Sequence, residues 1–201
     1  FLYQAKKYKL NINIKINTDL IFKKAVNLHL SKKLSEAEKL YKKILKINPN
    51  NLIASNNLAS IYNYKKNHEK AKNLLEYVLK IKPSDTDALN NYGNALKGLN
   101  RSEEALLYYK KSLELKPDFI DAINNMGNCL TSIGRLDEAI KSFKKALSIN
   151  SNHINSNWNL SLLQLLVGDF EEGWKNYEWR KKRITTKNKY IQNLDREWDG
   201  R

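Results

Sequence analysis

The sequence predicts an all-α fold, an α-solenoid assembled from a repeated helical hairpin. Three phased series carry that reading. Small residues recur every 34 positions at Ala37, Ala71, Ala105, Ala139 and Gly173. Prolines recur at Pro49, Pro83 and Pro117, with Ser151 in the fourth place, and Ala25, Ala59, Gly93, Gly127 and Ser161 form a third series of the same period. No insertion disturbs the period between about residue 18 and about residue 180. A fixed period of this length marks a stack of supersecondary units, each burying its apolar face on the next.

The units run near 18–51, 52–85, 86–119, 120–153 and 154–183. Each divides into two helices, because its apolar residues fall at helical spacing on either side of a polar turn. In the first unit Lys24 stands where the later pattern has a large apolar residue, so this end is the more worn. In the second, Leu58, Ala59 and Tyr62 define the first helix, and Ala71, Leu74, Leu75 and Val78 the second. The third places Glu103 and Glu104 at the start of its second helix, where carboxylates complement the helix dipole. Ala105 lets the helix backbones approach while Tyr109 fills the flank, the role Tyr41, Phe143 and Tyr177 take in other units. The fourth has lost its proline but keeps INSN in place of INPN, and the fifth has Gly173 for alanine. Proline ends a second helix because it cannot continue the hydrogen-bond ladder and pushes its predecessor out of the helical region. Between the helices, Gly134 and Gly168, and Lys32, Lys66 and Asn100 in the earlier units, occupy a position that needs a left-handed or extended residue. Residues 1–17 stay unassigned: the NINIKI alternation reads as a strand or as the end of an earlier repeat, while 184–201 read as a linker toward a possible downstream domain.

Composition narrows the function classes. With 7 Gly and 3 Pro, loops are short. No stretch approaches the roughly 20 apolar residues that span a bilayer, and the opening lacks a secretory signal's apolar block, so a cytoplasmic protein without membrane contact is expected. The single Cys129 excludes an internal disulfide and falls among apolar neighbours as a packing residue, and His29, His68 and His153 lack metal-ligand spacing; neither metal nor cofactor is expected. The net charge of +15 has two readings, a basic binding surface or the Lys, Asn and Ile bias of an AT-rich genome. Lysines spread along exposed helix faces favour the second, so nucleic acid is not expected as a partner. No phosphate loop and no nucleophile paired with a base is present, so no enzyme activity is expected of this chain. It begins at Phe1 and holds one methionine, Met126, which reads as a fragment of a longer protein.

Small residue, aromatic residue and proline in a 34-residue helix-turn-helix resemble the tetratricopeptide repeat over about four-fifths of the chain. The resemblance implies a right-handed superhelix whose first helices line a concave wall, and a polypeptide or partner protein as ligand. On those helices Asn57, Asn91, Asn125 and Asn159 share one repeat position, with Ser60, Asn94, Asn128 and Leu162 three residues later, and Asn90 and Asn124 extending the face. Spacing of i and i+3 keeps both sets on one face, and carboxamides offer donors and an acceptor that suit a peptide backbone. The pattern is similar to the asparagine ladder of O-linked N-acetylglucosamine transferases, which implies peptide binding at these eight asparagines. The same residues also fit a structural role between neighbouring helices. A clamp for a C-terminal carboxylate would need Lys and Arg here and is not expected.

Beyond the ladder, GDFEEGWKNYEWR at 168–180, followed by Arg196, Glu197, Trp198, Asp199 and Gly200, resembles the junction at which bacterial repeat arrays pass into a glycosyltransferase-like domain. That resemblance implies that the chain is the substrate-holding arm of such a protein, with the catalytic domain after Arg201. A free-standing adaptor is the alternative. Trp174, Tyr177 and Trp179 also suit a simple cap on the end of the stack.

Overall fold

The computed structural model describes residues 18–182. The strand reading at NINIKI and the linker at 184–201 lie outside the described residues. Those residues form helical hairpins with no strand among them: α1 (18–30), α2 (Leu34–Ile47), α3 (Leu52–Tyr64), α4 (His68–Ile81), α5 (Thr86–Gly98), α6 (Ser102–Leu115), α7 (Ile120–Ser132), α8 (Leu136–Ile149), α9 (Ile154–Leu166) and α10 (Phe170–Tyr177). The helical path resumes at 179–182. Two compact bodies divide after Arg101.

The helix starts follow local chemistry. Asn51 accepts a hydrogen bond from the Ala54 amide at 2.9 Å and Asp85 one from the Ala88 amide at 3.1 Å, so α3 and α5 have side-chain caps for otherwise orphaned N–H groups. Inside every hairpin the turn takes one left-handed residue: Lys32 at φ 61°, Lys66 at 61°, Asn100 at 62°, Gly134 at 77° and Gly168 at 85°. These are the five positions that the sequence marks for such a residue. The next amide then reaches back five residues, from Asn67 to the Tyr62 carbonyl at 2.8 Å and likewise from Lys33, Arg101, Arg135 and Asp169. This is a Schellman closure repeated in each unit.

The second helices stop two residues before Pro49, Pro83 and Pro117, with Asn48 extended at φ −134° and Lys82 outside the helical region at φ −130° and ψ 81°. Helix α8 stops at the same register before Ser151, and Asn150 is extended at φ −143°. Proline is therefore not what ends this helix. The following turn, closed by His153 N–H to Asn150 carbonyl at 3.0 Å as Asn51 closes to Asn48 at 3.2 Å, holds the chain in the same path.

In the first body α3 packs against α2, α4 and α5, and α4 also against α5. Tyr41, Ile44, Ile61, Leu75 and Val78 are fully buried among Ala37, Ala54, Ala59 and Ala71, each large apolar side chain contributing about 1.5–3 kcal/mol by leaving water. In the second body α7 packs against α6, α8 and α9, and α9 against α8 and α10. There Tyr109, Ile123 and Phe143 fill the space beside Ala105, Ala122, Gly127 and Ala139. Cys129 is buried and turns its thiol to the Ser102 carbonyl at 3.2 Å, as a packing residue would.

Candidate functional site

The first helices present two faces. On α3 the stripe Ala54, Leu58, Ala59, Ile61 is buried, which leaves Asn57 and Ser60 half-buried on the other side; on α5, Asn91 and Asn94 stand the same way. Asn57 lies beside the Tyr41 phenol, which burial pushes above its ordinary range and which Asn57 pulls the other way. The contact falls short of hydrogen-bond geometry, since the Tyr41 hydroxyl has no partner among the described residues. Asn91 is tied in: its Nδ2 donates to Asn56 Oδ1 at 2.9 Å, and its backbone carbonyl accepts from Asn63 Nδ2 at 2.8 Å. Asn56 and Asn63 belong to α3 and Asn91 to α5, so these bonds staple successive hairpins.

The second body repeats the staple. Asn159 Nδ2 on α9 donates to Asn124 Oδ1 on α7 at 3.1 Å, the same 35-residue step that links Asn91 to Asn56. Ser156 Oγ donates to the same oxygen at 3.2 Å and sits 2.8 Å from His153 Nδ1. Asn128 makes no hydrogen bond among the described residues. It lines a shallow cleft of about 170 Å3 with Thr131, Asn159, Leu162 and Leu166 above Phe143 and Leu163.

Of the eight asparagines singled out in the sequence, Asn57, Asn91 and Asn94 lie together on one face of the first body, and Asn125, Asn128 and Asn159 on α7 and α9 of the second. Asn90 and Asn124 do not extend those faces: both are 6 % exposed, and Asn124 is a structural acceptor. Sequence reasoning missed Asn56 and Asn63 as staple residues. The signal was available in part, because Asn56, Asn90 and Asn124 form a series of their own one residue before the ladder.

Burial pushes the Tyr109 phenol well up, and close hydrogen bonds from Lys42 and Lys65 hold Glu38 below the glutamate range. Among the described residues no cluster of His, Cys, Asp or Glu is arranged to hold a metal ion, and no helix is long and apolar enough to cross a membrane. At the end of the second body Tyr177 stacks on Trp158 of α9 at 5.2 Å and edge-on to Trp174 at 5.4 Å, with the Arg180 guanidinium 4.8 Å over its ring. Within the aromatic motif at 168–180, Tyr177 is thus engaged in closing α10 onto α9, while Phe170 and Trp174 are exposed.

Family models described as tetratricopeptide repeat match residues 28–90, 86–119 and 120–153, a run of more than half the chain. The chain belongs to the tetratricopeptide-repeat family. Repeats of this family are protein-interaction modules. Among solved structures, this tetratricopeptide-repeat chain is similar to a thermophilic TPR protein of Thermus thermophilus, at 19% identity and TM-score 0.75 over 89% of this chain and 94% of that one. It is also similar to PilW, described as a widely conserved type IV pilus biogenesis factor, at 26% identity and TM-score 0.72 over 84% and 78% of the two chains. A third is YrrB, described as a TPR protein with an unusual peptide-binding site, at 23% identity and TM-score 0.56 over 79% and 82%. No curated protein matches this chain in sequence.

Proposed function

We propose that this chain is a cytoplasmic interaction scaffold that holds an extended polypeptide against the asparagine-bearing faces of its first helices. One observation carries the reading. Asn57 in the first body, set against the Tyr41 hydroxyl, and Asn128 in the second stand half-buried on those faces, and Asn128 makes no hydrogen bond among the described residues. A half-buried carboxamide without a partner is a donor and acceptor set waiting for one, and an extended backbone offers both complements at each residue. Asn91 and Asn159 add to it, since their staples engage Nδ2 and leave Oδ1 for an incoming N–H. The unusual peptide-binding site described for YrrB supports a ligand of this class.

The test uses a fluorescein-labelled peptide recovered from a random-peptide display library on the intact chain. Asn57→Ala with Asn128→Ala is expected to raise its Kd about tenfold, two side-chain hydrogen bonds at about 0.5–1.5 kcal/mol each, while helical circular dichroism stays unchanged. An unchanged Kd removes the asparagine faces from the account.

The finer reading makes the chain the arm of a bacterial glycosyltransferase-like protein. It rests on the resemblance of GDFEEGWKNYEWR, and sequence beyond Arg201 tests it: a βαβ pattern with a glycine-rich sugar-nucleotide loop is expected, and a stop codon would sink it. A specific observation favours the free-standing adaptor instead, because Tyr177 of that motif is occupied in packing on Trp158 of α9, with Trp174 edge-on to it. A basic nucleic-acid-binding solenoid would show itself as duplex DNA retention at about 150 mM salt.

A further inference from the structure

Helix α7 packs against both α6 and α8, so two successive second helices flank a first helix. The space between them is a cleft of about 180 Å3. Its floor is apolar: Leu106 from α6, and Met126 and Leu130 from α7. Met126 and Leu130, four residues apart, share a stripe of α7 distinct from the one that carries Asn128 and Thr131.

The rim is charged, with Lys110, Arg135, Glu138 and Lys141, but these groups are not equivalent. Arg135 grips Glu138 through Nε at 2.6 Å and Nη2 at 2.7 Å, and its Nη1 lies 3.9 Å from Glu103. Its charge is matched within the protein. Lys110 and Lys141 are exposed and form neither an ion pair nor a hydrogen bond among the described residues. The Glu138 carboxyl feels both: it is held below the ordinary glutamate range first by the Arg135 hydrogen bond, with the charges of Arg135, Lys110 and Lys141 adding to it.

We propose that this cleft is a second binding site, for an acidic peptide segment of a partner protein that sets a bulky aliphatic side chain on the floor and carboxylates against Lys110 and Lys141. Charge and polarity select that occupant together. A bare anion would leave the half-buried Met126 side chain facing water, while a purely apolar segment would dehydrate two ammonium groups that have no ion pair. Acidic side chains flanking an aliphatic one satisfy both. The site involves none of the ladder asparagines, so it stands or falls independently of the polypeptide face proposed above.

Met126 is the only methionine in the sequence, so its labelled methyl group reports on this cleft alone. In the full chain carrying 13C-methyl methionine, with Met126→Leu assigning the resonance, a synthetic octapeptide of alternating Glu and Leu is titrated beside its Lys–Leu counterpart. The expected result is a saturable shift of the Met126 resonance with the Glu–Leu peptide and none with the Lys–Leu peptide. Lys110→Gln with Lys141→Gln should raise the Kd about tenfold, in keeping with two partly exposed charge pairs. Asn57→Ala with Asn128→Ala should leave it unchanged. Binding without movement of the Met126 resonance, the same affinity in the lysine variant, equal response to both peptides, or no response at millimolar peptide each overturns the proposal.

Discussion

Gly127 offers a sharp test of the idea that small residues set the helix spacing. A Cβ placed there would lie 2.6 Å from Phe143 Cε1 and 2.9 Å from Cδ1 and Cζ, where ordinary contact begins near 3.4 Å. The ring must therefore retreat by about 0.8 Å, the difference between 3.4 and 2.6 Å. Phe143 is 1 % exposed on α8, so it has no solvent to retreat into and the strain passes to the α7–α8 contact. Overpacking of this kind costs about 1–3 kcal/mol. Against it stands the helix propensity gained from Gly to Ala, about 1 kcal/mol. Gly127→Ala should then lower stability by roughly 1 kcal/mol, read as a lower urea midpoint at unchanged slope by circular dichroism. Phe143→Leu in the same chain should recover part of the loss, making the pair non-additive by at least about 0.5 kcal/mol. A Gly127→Ala variant more stable than the parent by the full propensity gain would refute the reasoning, since it would show that the ring moves freely.

Other outcomes follow from the same geometry. Gly134→Ala should lose about 1–2 kcal/mol from backbone strain alone, because φ is 77° and nothing lies within 4 Å of the added methyl; an unchanged midpoint would mean that the turn relaxes. Asn56→Ala and Asn91→Ala should each destabilise by about 1 kcal/mol while the double variant loses scarcely more than the worse single one; additive losses would show that the carboxamide staple contributes nothing. His29 has its pKa lowered first by burial and then by Lys32, so the folded state favours the neutral ring. That contribution is present above the unfolded-state value near 6.5 and is lost as pH falls through the lower folded value. Thermal melts at about pH 7.5 and about pH 5 should therefore differ less in His29→Asn than in the parent, and an equal difference would count against it.

The repeat phase made most of the backbone legible. Lys32, Lys66 and Asn100 are not residues that advertise a left-handed turn, yet they stand 34 residues apart in register with Gly134 and Gly168, and all five adopt positive φ. Ser151 was readable as a lost proline, but not that α8 would end in the same place without it; the helix end belongs to the turn that follows it. The asparagine faces were legible as residues sharing a helical side. Their bonding was not, because a staple such as Asn159 to Asn124 depends on the distance between two first helices, which no spacing within one helix encodes. The same limit applies to the aromatic motif, whose partner Trp158 lies on the preceding helix, outside the stretch that carries the resemblance.

The staples also bear on the thermodynamics of recognition. A surface asparagine ordinarily samples several rotamers, and a ligand that engages it must arrest that motion at about 0.5–1.5 kcal/mol per side chain. Asn91 and Asn159 are each already arrested by a neighbouring carboxamide. Their remaining oxygens point in directions set at folding, so the entropy of aligning these groups is lost when the hairpins stack rather than when a ligand arrives, and affinity at those two positions is decided by fit alone.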